Sequence, residues 1–198
     1  MQADLWFRPL VWLDYRLAVL LTVFLPLTLL VWSLLRRRST LVHLLVIYWR
    51  VASLLFFSVY LLIPAWSIGF ATGFLARLLI PVSLWFWVDL NEEIADLPPR
   101  PLKLAFTGWR WAASLYCALG TLASLPTLSC VLNAAPAANF CRVWLEPVWA
   151  YKQWLHPNAD PGFLGAIGAI GLCVYGLYFI YFLVMRLSRQ GRAAITQH

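Results

Sequence analysis

Residues 17–35 read LAVLLTVFLPLTLLVWSLL, an uncharged run closed by Arg36, Arg37 and Arg38. At 1.5 Å per residue it makes a helix about 28 Å long, which matches the hydrocarbon core of a bilayer. Stretches of the same kind recur at 41–63, 65–88, 104–125 and 163–185. The expected fold is therefore all-α: a polytopic membrane helix bundle of about five transmembrane helices plus interfacial helices, in one domain over 1–198. Composition agrees. The 198 residues are 63% hydrophobic and 12% charged, with mean hydropathy +0.77, whereas soluble domains carry about 45–50% apolar and about 25% charged residues. An ordinary soluble domain and a disordered chain are both excluded.

The segments between the spans are short. Residues 3–16 (ADLWFRPLVWLDYR) mix charges with Trp6, Phe7, Trp12 and Tyr15 and read as an interfacial element. No cleavable signal peptide is expected there, because Asp4 and Asp14 interrupt the order of basic, apolar and small residues that a leader needs. Pro64 marks a tight turn. Residues 89–103 (DLNEEIADLPPRPLK) form the one clearly hydrophilic connection. Residues 126–162 form the longest loop, within which 140–155 is a second interfacial candidate.

The basic residues set the sidedness. One side collects Arg8, Arg16, Arg142 and Lys152; the other collects Arg36, Arg37, Arg38, Arg100, Lys103, Arg186, Arg189 and Arg192. The richer side is expected in the cytoplasm with the C-terminus. The N-terminus and the 126–162 loop are then non-cytoplasmic. A net charge of +7 could suggest nucleic acid, but these cations flank apolar runs, so membrane lipids are the expected partner and nucleic acid is not. Cys130 and Cys141 share the non-cytoplasmic loop, where a disulfide is favoured over two free thiols. Cys117 and Cys173 sit inside spans.

Three arginines, Arg50, Arg77 and Arg110, interrupt apolar runs, and a bilayer-buried cation needs a partner or a route to the interface. Counting from the span ends puts all three in one layer about 10 Å below the cytoplasmic surface. Gly69 and Gly73 precede Arg77 at four-residue spacing, which turns it toward a helix contact. Two readings follow. Asp89, Glu92, Glu93 and Asp96 neutralise the arginines together with backbone carbonyls, or the arginines form a cationic pocket for an anionic headgroup, a carboxylate or a pigment substituent. His43 alone among the histidines lies in a span, where it is a weak candidate haem or pigment ligand. No metal set and no catalytic or nucleotide-binding motif is recognisable, and the sequence names no cofactor. Gly165, Gly168, Gly171 and Gly176 read as a helix-packing stripe.

The stretches FRPLVWLDYRLAVL (7–20), YWRVASLL (48–55), LWFWVDLNEEIADLPPRPLKLA (84–105), FCRVWLEP (140–147) and PGFLGAIG (161–168) resemble those of a family of cyanobacterial multi-pass integral membrane proteins, a domain of unknown function. The resemblance implies a thylakoid or plasma membrane and assigns no catalytic residue. The expected function is that of a non-enzymatic accessory or assembly protein of photosynthetic or other thylakoid complexes, partnered by a membrane protein complex. The alternative is a small transporter or anion-binding permease using the three arginines. A membrane enzyme would need an acid–base or metal set, of which Asp89, Glu92, Glu93 and His43 are the only plausible beginning.

Overall fold

The computed structural model describes residues 6–132 and 139–187. Five helices in it are long and apolar enough to cross a membrane. These are α1 (Arg8–Leu35), α2 (Ser39–Leu62), α3 (Ile68–Trp85), α5 (Pro101–Ser124) and α7 (Pro161–Tyr181). Two amphipathic helices join them, α4 (Val88–Asp96) and α6 (Asn139–Leu155). Among the described residues there is no strand. Asp4 and the tail residues Arg189, Arg192 and His198 lie outside the described residues.

Residues 8–16 differ from the expectation of a separate interfacial element. They form the first turns of α1 itself, with Pro9 in the opening turn, where its missing N–H is harmless. The helix then meets Pro26. Residues Val19–Phe24 make a π turn, so the Leu25 N–H reaches back to Leu20 O. Leu21 O thereby loses its usual donor, and Thr22 O loses its own because residue 26 is proline. Both carbonyls are satisfied from other helices. The Trp109 indole donates to Leu21 O at 2.8 Å, and the Tyr48 hydroxyl donates to Thr22 O at 2.7 Å. Tyr48 is fully buried, so no water replaces its hydroxyl. Tyr48→Phe is expected to cost about 1–3 kcal/mol, the penalty of an orphaned buried acceptor. Thermal unfolding in detergent reads it, and an unchanged midpoint would mean that the π turn needs no outside donor.

Both ends of α2 carry tight turns. At the first, Arg38 N–H bonds Ser33 O and Arg37 N–H bonds Leu34 O, the paired bonds of a Schellman motif. At the second, Trp66 N–H bonds Leu61 O and Ala65 N–H bonds Leu62 O in the same pattern. The left-handed position, where glycine is usual, holds Arg37 (φ 51°) in one and Ala65 (φ 61°) in the other.

The core forms around α2. Leu41, Leu44, Leu45, Tyr48 and Leu54 are buried on it and face α3, α5 and the second half of α1. Small residues set the close approaches. A Cβ on Gly69 would meet Leu62, one on Gly168 would meet Tyr60 and Leu61, and one on Gly171 would meet Phe57. On the stripe read from sequence on α7, Gly168 and Gly171 thus pack against α2, Gly165 packs against Pro64 and Trp66 of the turn that follows α2, and Gly176 has nothing within 4 Å among the described residues. Beyond α5, a 3₁₀ turn (Leu125–Leu128) leads to Cys130, and a disulfide joins Cys130 to Cys141 on α6.

Helix α6 is held against the same end of the bundle. Arg8 pairs with Glu146 at 2.8 Å, Trp12 donates to Glu146 at 3.3 Å, and Tyr60 shares a hydrogen bond with His156 at 2.9 Å. That end collects the start of α1, the Pro64 turn and α6. The opposite end collects residues 36–38, α4 and the start of α5.

Candidate functional site

The second half of α1 packs on α2, whereas its first half leans toward α5 and α6. A cavity of about 950 Å³ occupies the gap. One wall is Val19, Val23 and Phe24 of α1, and the facing wall is Ala52, Leu55, Phe56 and Val59 of α2. Gly73, Phe74 and Arg77 of α3 with Tyr116 and Cys117 of α5 form the back. Trp144, Tyr151 and Trp154 of α6 cover the top. Val19, Phe24 and Phe56 line the cavity yet are exposed, which makes them a lateral mouth on the apolar outer face of the bundle. Burial and the neighbouring Tyr60 push the Tyr151 hydroxyl up to about 12, so the roof presents a neutral phenol.

Arg77 lies near the middle of α3, about 13 Å from either end. Its guanidinium pairs with Asp14 and donates to Gly120 O at 3.1 Å. Tyr116 donates to both Asp14 Oδ1 and Asp14 O at 2.9 Å, and its ring lies 5.8 Å from the guanidinium carbon. The arrangement is a compact ion pair shared by α1, α3 and α5. A Cβ on Gly120 would sit 2.6 Å from the guanidinium, so glycine is what admits the arginine to this contact.

The three arginines are staggered rather than level. Arg110 stacks on the Trp85 ring at 4.0 Å, and Trp85 lies eight residues, about 12 Å, beyond Arg77 on α3. Gly69 faces Leu62 and Gly73 faces Ser58, a register that sets Arg50 about 6 Å from the Arg77 level. Counting from hydropathy boundaries produced one layer; contacts between helices decide the levels. Each arginine has its own surroundings. Arg110 donates to Asn91 Oδ1 at 2.5 Å, and Asn91 in turn donates to Trp85 O. Arg50 is exposed and donates to Tyr178 on α7 at 3.0 Å.

The acids singled out in the third connection lie on α4. Glu93 accepts from Thr40 at 2.5 Å, fastening α4 to the start of α2. Glu92 is exposed, and Asp89 lies in the first turn. The carboxylate that meets Arg77 is instead Asp14. Buried positions Val11, Thr22, Pro26, Leu29 and Ser33 run at helical spacing. The same stripe passes through 14 and 18, and that is the signal that would have found Asp14. His43 is exposed on α2, and no group of three His, Cys, Asp or Glu able to hold a metal occurs among the described residues.

Chemically, the site is an apolar, laterally open pocket backed by a charge-neutral pair. Its volume lies at the upper end of the usual range for small-molecule sites. No curated protein and no solved structure matches the chain. Residues 8–195, and with them every helix of this site, match the family described as "Protein of unknown function (DUF3177)", and the chain belongs to that family.

Proposed function

We propose that this protein is a non-enzymatic accessory component of photosynthetic or other thylakoid membrane complexes, and that it holds a long-chain apolar ligand in the cleft between α1 and α2. The cavity carries the reading: about 950 Å³ of mostly apolar space with its mouth on the lipid-facing side. A ligand of that kind reaches the site by lateral diffusion in the bilayer. The hydroxyls of Ser58, Ser124 and Thr127 at the walls already donate to backbone carbonyls and offer acceptor oxygens to one polar end. A transport reading needs the arginines as anion ligands, and Arg77 already engages Asp14 and Gly120.

The resemblance to cyanobacterial membrane proteins supports a thylakoid or plasma membrane. The cations at 36–38, 100 and 103 support a cytoplasmic placement for the α4 end. The opposite end carries the Cys130–Cys141 bridge, in keeping with an oxidising compartment.

The test is a mild-detergent pull-down of the tagged protein from its native membranes, with identification of polypeptides, an absorption spectrum and an organic extract. Subunits of a larger complex and a stoichiometric extractable ligand are the expected result. Val23→Trp, which enlarges a side chain on the cavity wall at a position that is itself exposed, is expected to lose the ligand and keep the fold. A protein free of both partner subunits and extractable ligand would overturn the proposal.

A further inference from the structure

A second cavity, of about 480 Å³, opens at the other end of the bundle, beside the turn between α1 and α2. Arg36, Arg37, Arg38, Arg100 and Lys103 all line it, and among the described residues no carboxylate does. Trp32 with Leu35 and Leu102 supply an apolar side. We propose that this cavity is a headgroup site for an acidic phospholipid, with the arginines on its phosphate.

Lys103 has a structural task, since its amine donates to Ala95 O at 2.6 Å and to Leu97 O, closing the end of α4. The four guanidiniums are different. Among the described residues none of them has a hydrogen-bond or ion-pair partner within the protein. Four unpaired arginines around one concave space repel one another and favour an anion, and the guanidinium fork matches phosphate oxygens two at a time.

The turn places one of these arginines. Arg37 occupies the left-handed position of the Schellman motif at φ 51°. Glycine fits that backbone without strain, and a side chain does not. Arg37 stands in a left-handed conformation, as Ala65 does in the other turn, and its side chain lines the cavity. The start of α5 adds to the field, because Arg100 at its N-cap makes no side-chain cap and the first turn abuts the same cavity.

Position separates lipid phosphate from free phosphate. The cavity lies where α1 leaves its apolar run and α5 enters its own, the level of headgroups. The apolar side then contacts the glycerol and upper acyl chain, which inorganic phosphate lacks.

The experiment uses the full chain, purified in detergent and titrated with phosphatidylglycerol, phosphatidylcholine or inorganic phosphate, with native mass spectrometry counting bound molecules. Phosphatidylglycerol is expected to bind at least about tenfold more tightly than phosphatidylcholine. A cation near an anionic lipid contributes about fivefold. Arg37→Gly and Arg100→Gln should therefore each weaken phosphatidylglycerol binding by about fivefold. Arg37→Gly also relieves the turn, so its thermal midpoint should hold or rise, which separates lost binding from lost folding. Arg142→Gln removes the same charge from exposed α6 at the far end and should change nothing. Equal binding of both lipids, or unchanged binding in Arg37→Gly and Arg100→Gln, overturns the site. Inorganic phosphate binding as tightly as the lipid overturns its assignment to lipid.

Discussion

Asp14→Ala is expected to destabilise the protein by about 3–5 kcal/mol, the cost of stranding one member of a buried ion pair. Both side chains are largely hidden, 12% exposed for Arg77 and 17% for Asp14. Without the carboxylate the guanidinium keeps one carbonyl, Gly120 O, and the neighbouring ring of Tyr116. Tyr116 loses an acceptor in the same change. The double replacement Asp14→Leu with Arg77→Met should recover most of the loss, since replacing both charges with apolar side chains is often neutral or stabilising. Thermal or denaturant unfolding of the two variants in one detergent reads the difference. If Asp14→Ala alone shifts stability by less than about 1 kcal/mol, the pair behaves like a solvated surface pair and is not a buried one.

The second large effect is expected at the roof of the cleft. Replacing Cys130 and Cys141 by serine should remove about 3 kcal/mol, from the chain-entropy cost of an eleven-residue separation. Both sulfurs are buried, in a cluster with Tyr60, Leu145, Val148 and Leu164. The bridge ties α6 to the end of α5, and α6 supplies Trp144, Tyr151 and Trp154 to the cavity. Loss of the bridge should therefore lower the melting midpoint and weaken ligand retention together. Reductant should reproduce both changes in the native protein and do nothing further to the double serine variant. A reductant effect that persists in that variant would mean that the bridge is not its source.

The helices were legible because a membrane span writes itself as about twenty consecutive apolar residues. The glycines of α7 were legible for a related reason, since small residues in an apolar run mark close contact. The cysteine bridge followed from shared placement in one loop. The site was less legible. Asp14 stood outside the apolar window and was grouped with a surface segment, although helical spacing carries it onto the buried stripe of α1. The role of Pro26 was half visible. A proline inside a helix implies a break, but the donors that repair it, Tyr48 and Trp109, come from helices 26 and 88 residues away. The cavity was not visible at all, because it arises from the lean of α1 and no residue type encodes an angle. The levels of the three arginines failed for the same reason: register between helices is set by contacts such as Gly73 on Ser58.

The Asp14–Arg77 pair also sets a timetable. The two residues are 63 positions apart, and chain synthesis proceeds at about 5–20 residues per second. The carboxylate therefore waits about 3–13 seconds for its counter-ion, and longer for Tyr116, which is 102 positions downstream. During that interval the beginning of α1 carries an uncompensated acid at the edge of the bilayer, where remaining near the headgroups costs less than entering. The first helix to be made therefore lacks its partners until α3 and α5 have followed. With Arg77 and Tyr116 as the partners of Asp14, the start of α1 is expected to dock only once α3 and α5 are present, and the cleft it borders is expected to form with that step.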